Sequence, residues 1–302
     1  MANKLTLWQK VWATGLTCLF FYGFEHNVQA QLRLDTSKPN DALKALQKIH
    51  CSLANDKPAV FWWKGSAYSR IPGERDRLLF NVEGMNIRAC QSLNDPQRGP
   101  GYRMVSREII LYLDPETNVV LRKWKNPWTS QDVEVLHVAN DPVNSQPLYA
   151  MTSGRPFKFP ATYKNGRFWF SFEAPLFYTN PLGGEYQEFV GGNYHAIEMF
   201  NFFGYEKDLL DATKPAITDL SVSWHRVSDW LPWMEMGDRP GMMVFVTVGK
   251  RLSDWTDLPE VIKSEIRLNY PAYTSPPPLD DSRPNETSWT YFKKKQAEKS
   301  KQ

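Results

Sequence analysis

From Asn40 to Leu53 the apolar positions Ala42, Leu43, Leu46, Ile49 and Leu53 recur at helical spacing, with Asn40 or Asp41 placed to cap the first turn. Beyond this stretch the period shortens to two. Ala59–Tyr68 reads as a strand with aromatic faces, and Leu78–Cys90 as a strand pair broken near Glu83-Gly84. Val105–Leu113 and Val119–Trp124 flank the turn-forming run Asp114-Pro115-Glu116-Thr117-Asn118, which predicts a hairpin. Asn126-Pro127-Trp128 stops the return strand. Val133–Val138 alternates again before the turn at Asn140-Asp141-Pro142. Further strand signals cover Phe157–Phe159, Arg167–Phe172, Tyr186–Phe189, Tyr194–Phe203, Ile217–Val227 and Met242–Val248, punctuated by glycine and proline. Leu258–Leu268 is the one convincing late helix.

Many short strands without alternating helices predict a mainly β fold: an antiparallel β-barrel or curved β-sandwich with a short N-terminal helix and one late helix. The domain plan is a signal peptide over 1–30, a single β domain over 31–280, and a basic, disordered tail over 281–302.

The start of the chain has its own pattern. Lys4 and Lys10 precede an uncharged run from Val11 to Phe24, and Val28-Gln29-Ala30 offers small or β-branched residues at the −3 and −1 positions of a cleavage site. The apolar run is about 14 residues, short of the roughly 20 a spanning helix needs. Cleavage after Ala30 and export to the periplasm or the extracellular space are expected, with a thylakoid lumen as the alternative destination. Lipidation at Cys18 is not expected, because the small residue usual before a lipidated cysteine is missing.

Composition refines this picture at three points. Twelve tryptophans and 14% aromatic residues promise an aromatic-rich interior, and 22 prolines argue against long helices. The formal charge of +3 sits in the signal segment and in the lysine-rich tail from Phe292 onward, leaving a slightly acidic body with no electrostatic footprint for nucleic acid. Membrane contact is expected only through the signal segment or that tail. After cleavage Cys51 and Cys90 are the remaining cysteines, either a disulfide closing a loop of about 40 residues or two buried thiols.

Three segments set polar residues among aromatics. The first holds Trp128 and then His137, Asn140 and Asp141, where a histidine at a barrel mouth would serve as base or ligand, or else only hydrogen-bond its strand neighbours beside an ordinary Asn-Asp-Pro turn. The second holds His195 and Glu198. On a helix they would share a face and bind a metal; on a strand, three residues apart, they face opposite ways, so the metal reading is weak. The third is densest: Trp224, Trp230, Trp233, Met234 and Met236 would line an apolar pocket with Glu235, Asp238 and Arg239 as its polar anchors, or form a core-packing loop with Asp238-Arg239 at a surface turn. A carboxyl among aromatics is raised by desolvation and suits general-acid work. His137, Glu235 and Asp238 are therefore the candidate catalytic set. Trp128, Asn140, Asp141, Trp224, Trp230, Trp233 and Arg239 are the candidate ligand contacts. Arg107 and Glu108 are adjacent in a strand, so one of them must point inward, where it needs a partner or a ligand.

No glycine-rich dinucleotide or phosphate loop, nucleophile elbow or zinc-helix motif occurs, and no cofactor is expected. The expected partner is an apolar small molecule, lipid, isoprenoid or polyketide-like. It would be held by a carrier or turned over by a cofactor-independent acid–base enzyme, with a histidine–carboxylate metal enzyme as a third reading. The pattern leaves the oligomeric state open.

Several segments together resemble one family: Ser106-Arg107-Glu108 through Asp114-Pro115, Trp124-Lys125-Asn126-Pro127-Trp128-Thr129, His137-Val138-Ala139-Asn140-Asp141-Pro142, and Trp230-Leu231-Pro232-Trp233 through Pro240-Gly241. This is similar to DUF1838, a bacterial and fungal family of unknown function. The resemblance implies a single domain over roughly Asn40–Pro278. It brings no catalytic residue with it.

Overall fold

The computed structural model describes residues 32–54, 57–179 and 193–301. The signal segment, and the strand expected over Tyr186–Phe189, lie outside the described residues.

Fourteen strands and four α-helices are present among the described residues. Helix α1, Pro39–His50, starts one residue before the expected caps, because Pro39 takes the first helical position. Lys38 occupies the cap position without a side-chain bond. Three long strands follow: β1 Ala59–Arg70, β2 Arg77–Asp95 and β3 Gly99–Leu113. Seven short strands come next, namely β4 Lys123–Lys125, β5 Asp132–Glu134, β6 Val138–Asn140, β7 Leu148–Tyr149, β8 Met151–Thr152, β9 Arg155–Pro156 and β10 Thr162–Lys164. The second half carries β11 Arg167–Thr179, β12 Asn193–Tyr205, the short helix α2 Glu206–Leu210, β13 Leu220–Ser228, β14 Met242–Leu252, helix α3 Glu260–Asn269 and helix α4 Ser288–Lys299.

Ten strands form one antiparallel sheet in the order β10-β11-β12-β13-β14-β1-β2-β3-β6, with β7 also on β3. The path is open: among the described residues no pairing joins β10 to β6. Register fixes the faces. The row Tyr112, Val82, Gly65, Thr247, Trp224, Phe200 and Phe172 runs across seven strands on one side, here called the inner face. The opposite, outer face of β1, β2, β3 and β6 presents Val60, Met85, Ile87, Ile109, Leu111 and Ala139. Ile262 and Ile266 of α3 cover it in a second apolar cluster. With both faces covered, the end of β3 from Ile109 to Leu113 is buried at every position.

Several expectations need correction. The expected strand pair at Leu78–Cys90 is part of one continuous strand, β2. Gly84 is no turn: the ring of Trp63 lies over it, and a Cβ there would come within 2.7 Å of that ring. Neighbouring Glu83 accepts a bond from Trp62 Nε1 at 2.8 Å. The hairpin after β3 begins as read, with Asp114 accepting from the amides of Glu116 and Thr117, and Leu121 N donating to Tyr112 O at 3.0 Å. The return segment then leaves β3 and pairs Lys123–Lys125 with Asp132–Glu134, so that β6 takes the place beside β3. The single strand expected over Val133–Val138 is accordingly split between β5 and β6. Phe157–Phe159 forms no strand; Phe159 packs edge-on to Phe170 at 5.5 Å.

The tail expected to be disordered is ordered. Arg283 pairs with Asp141 at 2.7 Å and with Asp281 at 2.8 Å, and Asp141 N donates to Glu286 at 3.2 Å. Thr287 and Thr290 then cap α4 reciprocally. Trp289 and Phe292 are buried, and the Trp289 ring meets Tyr194 of β12 at 4.5 Å. Three aromatics within four positions outweigh the lysines around them, whose charges stay in water.

Cys51, at the end of α1, and Cys90, on the inner face of β2, form a disulfide with Cα atoms 5.8 Å apart. Arg251 donates to Lys48 O at 2.9 Å and to Cys51 O at 2.5 Å, which fastens the same end of α1 to β14.

Candidate functional site

The tryptophan-rich segment packs into the core instead of opening a pocket around its carboxylates. Trp233 sits among Phe80, Tyr112 and Trp124 at 5.4–6.0 Å. Trp230 lies 5.3 Å from Trp128 and donates to Arg239 O at 3.0 Å. Glu235 follows the 3-10 turn Pro232–Met234 in a left-handed conformation, which turns its side chain out as Trp233 and Met234 turn in. Glu235, Asp238 and Arg239 are exposed. His137, by contrast, is buried and stacked on Tyr112 at 5.9 Å. Burial pushes its imidazole down to about 4. It is thus neutral near pH 7, and its Nδ1 accepts from Tyr112 N at 3.2 Å. No hydrogen bond or ion pair among the described residues joins it to Glu235 or Asp238, so the structure does not assemble the three into one acid–base unit.

The remaining candidates divide. Trp128 borders a surface recess with Glu74, Arg75, Asp76 and Arg77, away from any convergent polar group of the core. Asp141 is held by Arg107 at 3.0 Å and by Arg283, a structural role. His195 and Glu198 lie on opposite faces of β12: His195 is exposed beside Asp229, and Glu198 pairs inward with Arg226 at 2.8 Å. Among the described residues no three His, Cys, Asp or Glu side chains gather as metal ligands would. Trp224 and Asn140 are on the inner face, which also carries a second set of polar residues.

The residues of that second set are placed in phase with the inner apolar positions of their strands. On β2 they are Asn86 and Arg88; on β3, Ser106 and Glu108; on β12, Tyr194 and Glu198; on β13, Arg226 and Ser228. Between the two adjacent candidates Arg107 and Glu108, register sends Glu108 inward. Arg107 turns out to bind Asp141 and the carbonyls of Ala272 and Ser275 at 2.9 and 2.8 Å. Arg226 is clamped between Glu198 and Tyr194, donating to both.

Electrostatics tie the two sides together. Burial pushes the Glu108 carboxyl up to about 7; repulsion from Glu198 adds to this, against the attraction of Arg226 and Arg88. Burial alone would lower the Arg226 guanidinium, but Tyr194 and Glu198 outweigh it and hold the group above its ordinary range. Tyr112 is raised, chiefly by burial. Glu108 thus senses charges on β12 and β13, although four to five strand steps separate it from them in the sheet.

Aromatic rings share this face. Trp224 lies 6.2 Å from Trp63 and 5.6 Å from Phe245. Phe170 stacks on Phe202 at 4.9 Å, and Phe172 meets Phe200 at 6.1 Å. Arg226 Nε, Asn140 Oδ1, Ser228 Oγ and Trp63 Nε1, all inner-face atoms, are buried without a hydrogen-bond partner. Buried polar atoms are rarely left so, and several on one face mark a place where a water or a ligand group belongs.

Fold and site together define a mainly β protein whose single large antiparallel sheet gathers acid, base and aromatic side chains on one face. Residues 56–296 match the family described as "Protein of unknown function (DUF1838)", and the chain belongs to that family. No curated protein sequence matches it significantly.

Proposed function

We propose that the sheet curls into a barrel-like enclosure whose inner face binds a small molecule, its apolar body against the aromatic rings and its oxygen-bearing end at Glu108, Glu198 and Arg226. The observation carrying this reading is that Glu108 on β3 lies within electrostatic reach of Glu198 on β12 and Arg226 on β13, all on one face, among unsatisfied polar atoms. Aromatic walls with a few convergent polar groups are the ordinary chemistry of small-molecule sites. The protein is exported, reaching the periplasm or the outside of the cell, and the Cys51–Cys90 disulfide supports this because such bonds persist in oxidising compartments.

The test uses a neutral apolar probe, N-phenyl-1-naphthylamine. Its fluorescence rises saturably on adding protein. Phe200→Glu, which places a charge on the inner face, weakens binding by at least about tenfold, or ~1.4 kcal/mol. Val248→Glu, on the outer face at a residue 64% exposed, leaves the affinity unchanged. Equal loss in both variants, or no saturable binding, contradicts the reading. Acid–base chemistry on the bound molecule is the second reading, favoured by the carboxyl of Glu108 titrating near neutrality. A Glu108→Gln variant that keeps probe affinity yet converts the natural ligand as fast as wild type would exclude it.

A further inference from the structure

Where α1 meets the sheet, Arg88 and Arg251 lie beside the Phe61 ring, and Lys48 stands on the helix that Arg251 binds. Lys48 gives its ammonium to the carbonyls of Asp208, Leu209 and Asp211 at 2.7–2.9 Å. Arg251 gives its Nη atoms to Lys48 O and Cys51 O. Arg88 is different. Its Nε donates to Asn86 Oδ1 at 2.7 Å, and its guanidinium lies 4.3 Å from the centre of the Phe61 ring. Its two Nη atoms have no hydrogen-bond partner, and it enters no ion pair, among the described residues. Burial lowers its guanidinium to about 10; repulsion from Arg251 adds to that, and Glu108 partly offsets it.

Arg88 is partly buried, and its two open donors on an aromatic-walled face suit an anion. The protein's own candidates are occupied or neutralised. Glu198 is bound to Arg226, and Glu108, diagonal to Arg88 across the β2–β3 pair, titrates near neutrality. With Nε fixed by Asn86 and one ring face on Phe61, the two Nη atoms form a fork that two oxygens of one group can satisfy.

We propose that Arg88 seats a carboxylate at the end of the small molecule bound on the inner face, so that the natural ligand is an apolar carboxylic acid. This rests on the inner face being a ligand site. A singly charged carboxylate matches the fork of two open Nη donors on Arg88, and Phe61, Trp63 and Trp224 continue from it as the apolar wall.

The experiment is displacement of N-phenyl-1-naphthylamine by two chains of equal length, dodecanoate and dodecanol. Wild-type protein releases the probe at a dodecanoate concentration at least about tenfold below that for dodecanol. Arg88→Gln, which keeps a donor for Asn86, removes the preference for the acid over the alcohol; Arg88→Lys retains part of it. Circular dichroism checks that each variant is folded. Equal displacement by acid and alcohol in the wild type overturns the assignment and leaves the ligand site standing. So does a preference that survives Arg88→Gln. Should Arg88→Gln not fold, the wild-type preference and Arg88→Lys decide. Failure of the probe to bind wild-type protein removes the site, and this assignment with it.

Discussion

Replacing Cys51 and Cys90 together by alanine lowers the stability of the protein by about 4 kcal/mol in the chain-entropy account of cross-links. The cysteines are 39 residues apart, so their bond withdraws a long loop from the freedom of the unfolded chain. The loop holds the whole of β1 and most of β2, the centre of the sheet. The bond also fixes the end of α1 where Cys51 O receives Arg251, so cutting it loosens the ground on which the buried cations stand. Both sulfurs are buried, and their loss adds a small packing deficit to the entropic one. Urea unfolding of wild-type and double-variant protein measures the difference. A loss below about 1 kcal/mol would mean that the bond constrains little that matters.

The second large effect is on pH. The Glu108 carboxyl has a folded-state pKa of about 7 against an ordinary value of 4.5, so the folded protein holds this proton more firmly than the unfolded chain. The stabilising contribution is complete below pH 4.5 and is lost as pH rises through about 7. At about 1.4 kcal/mol per factor of ten, the gap costs roughly 3 kcal/mol of stability between acid and mildly alkaline solution. Glu108→Gln removes that dependence. The difference between wild type and variant should be flat below pH 4.5 and should then grow in the variant's favour up to about pH 8. Urea titrations at several pH values measure it, and a difference that stays flat from pH 4.5 to 8 would contradict the buried placement of this carboxyl.

The β-rich class was legible from period-two alternation, because β1, β11, β12, β13 and β14 each show it over enough residues to fix a strand. Boundaries failed where local chemistry and tertiary packing disagree. Glu83-Gly84 has the composition of a turn, yet Gly84 is small only to admit the Trp63 ring. Val119–Trp124 has strand composition, yet after Leu121 it leaves β3 for a local pair with β5.

The site was less legible for a related reason. The sequence drew attention to the tryptophan-rich segment, where Glu235 and Asp238 stand out by composition. A left-handed turn at Glu235 puts that side chain in water, a backbone detail no composition reveals. Glu108 was visible as one of an adjacent pair of which one member must face inward. Choosing between them needed the pairing of β2 with β3. Arg88 and Arg226 carried a signal that went unused: each is a charge in phase with the apolar face of its strand, as in Val222, Trp224, Arg226 and Ser228. In-phase charges on buried strands are a better guide to this interior than clusters of aromatics.

The most direct measurement is a crystal structure of the protein grown with N-phenyl-1-naphthylamine. Density for the probe is expected on the inner face, against Trp63, Trp224 and Phe200 and within reach of Glu108 and Arg226. Density confined to the outer face of β13 and β14, or to the recess beside Trp128, would contradict it.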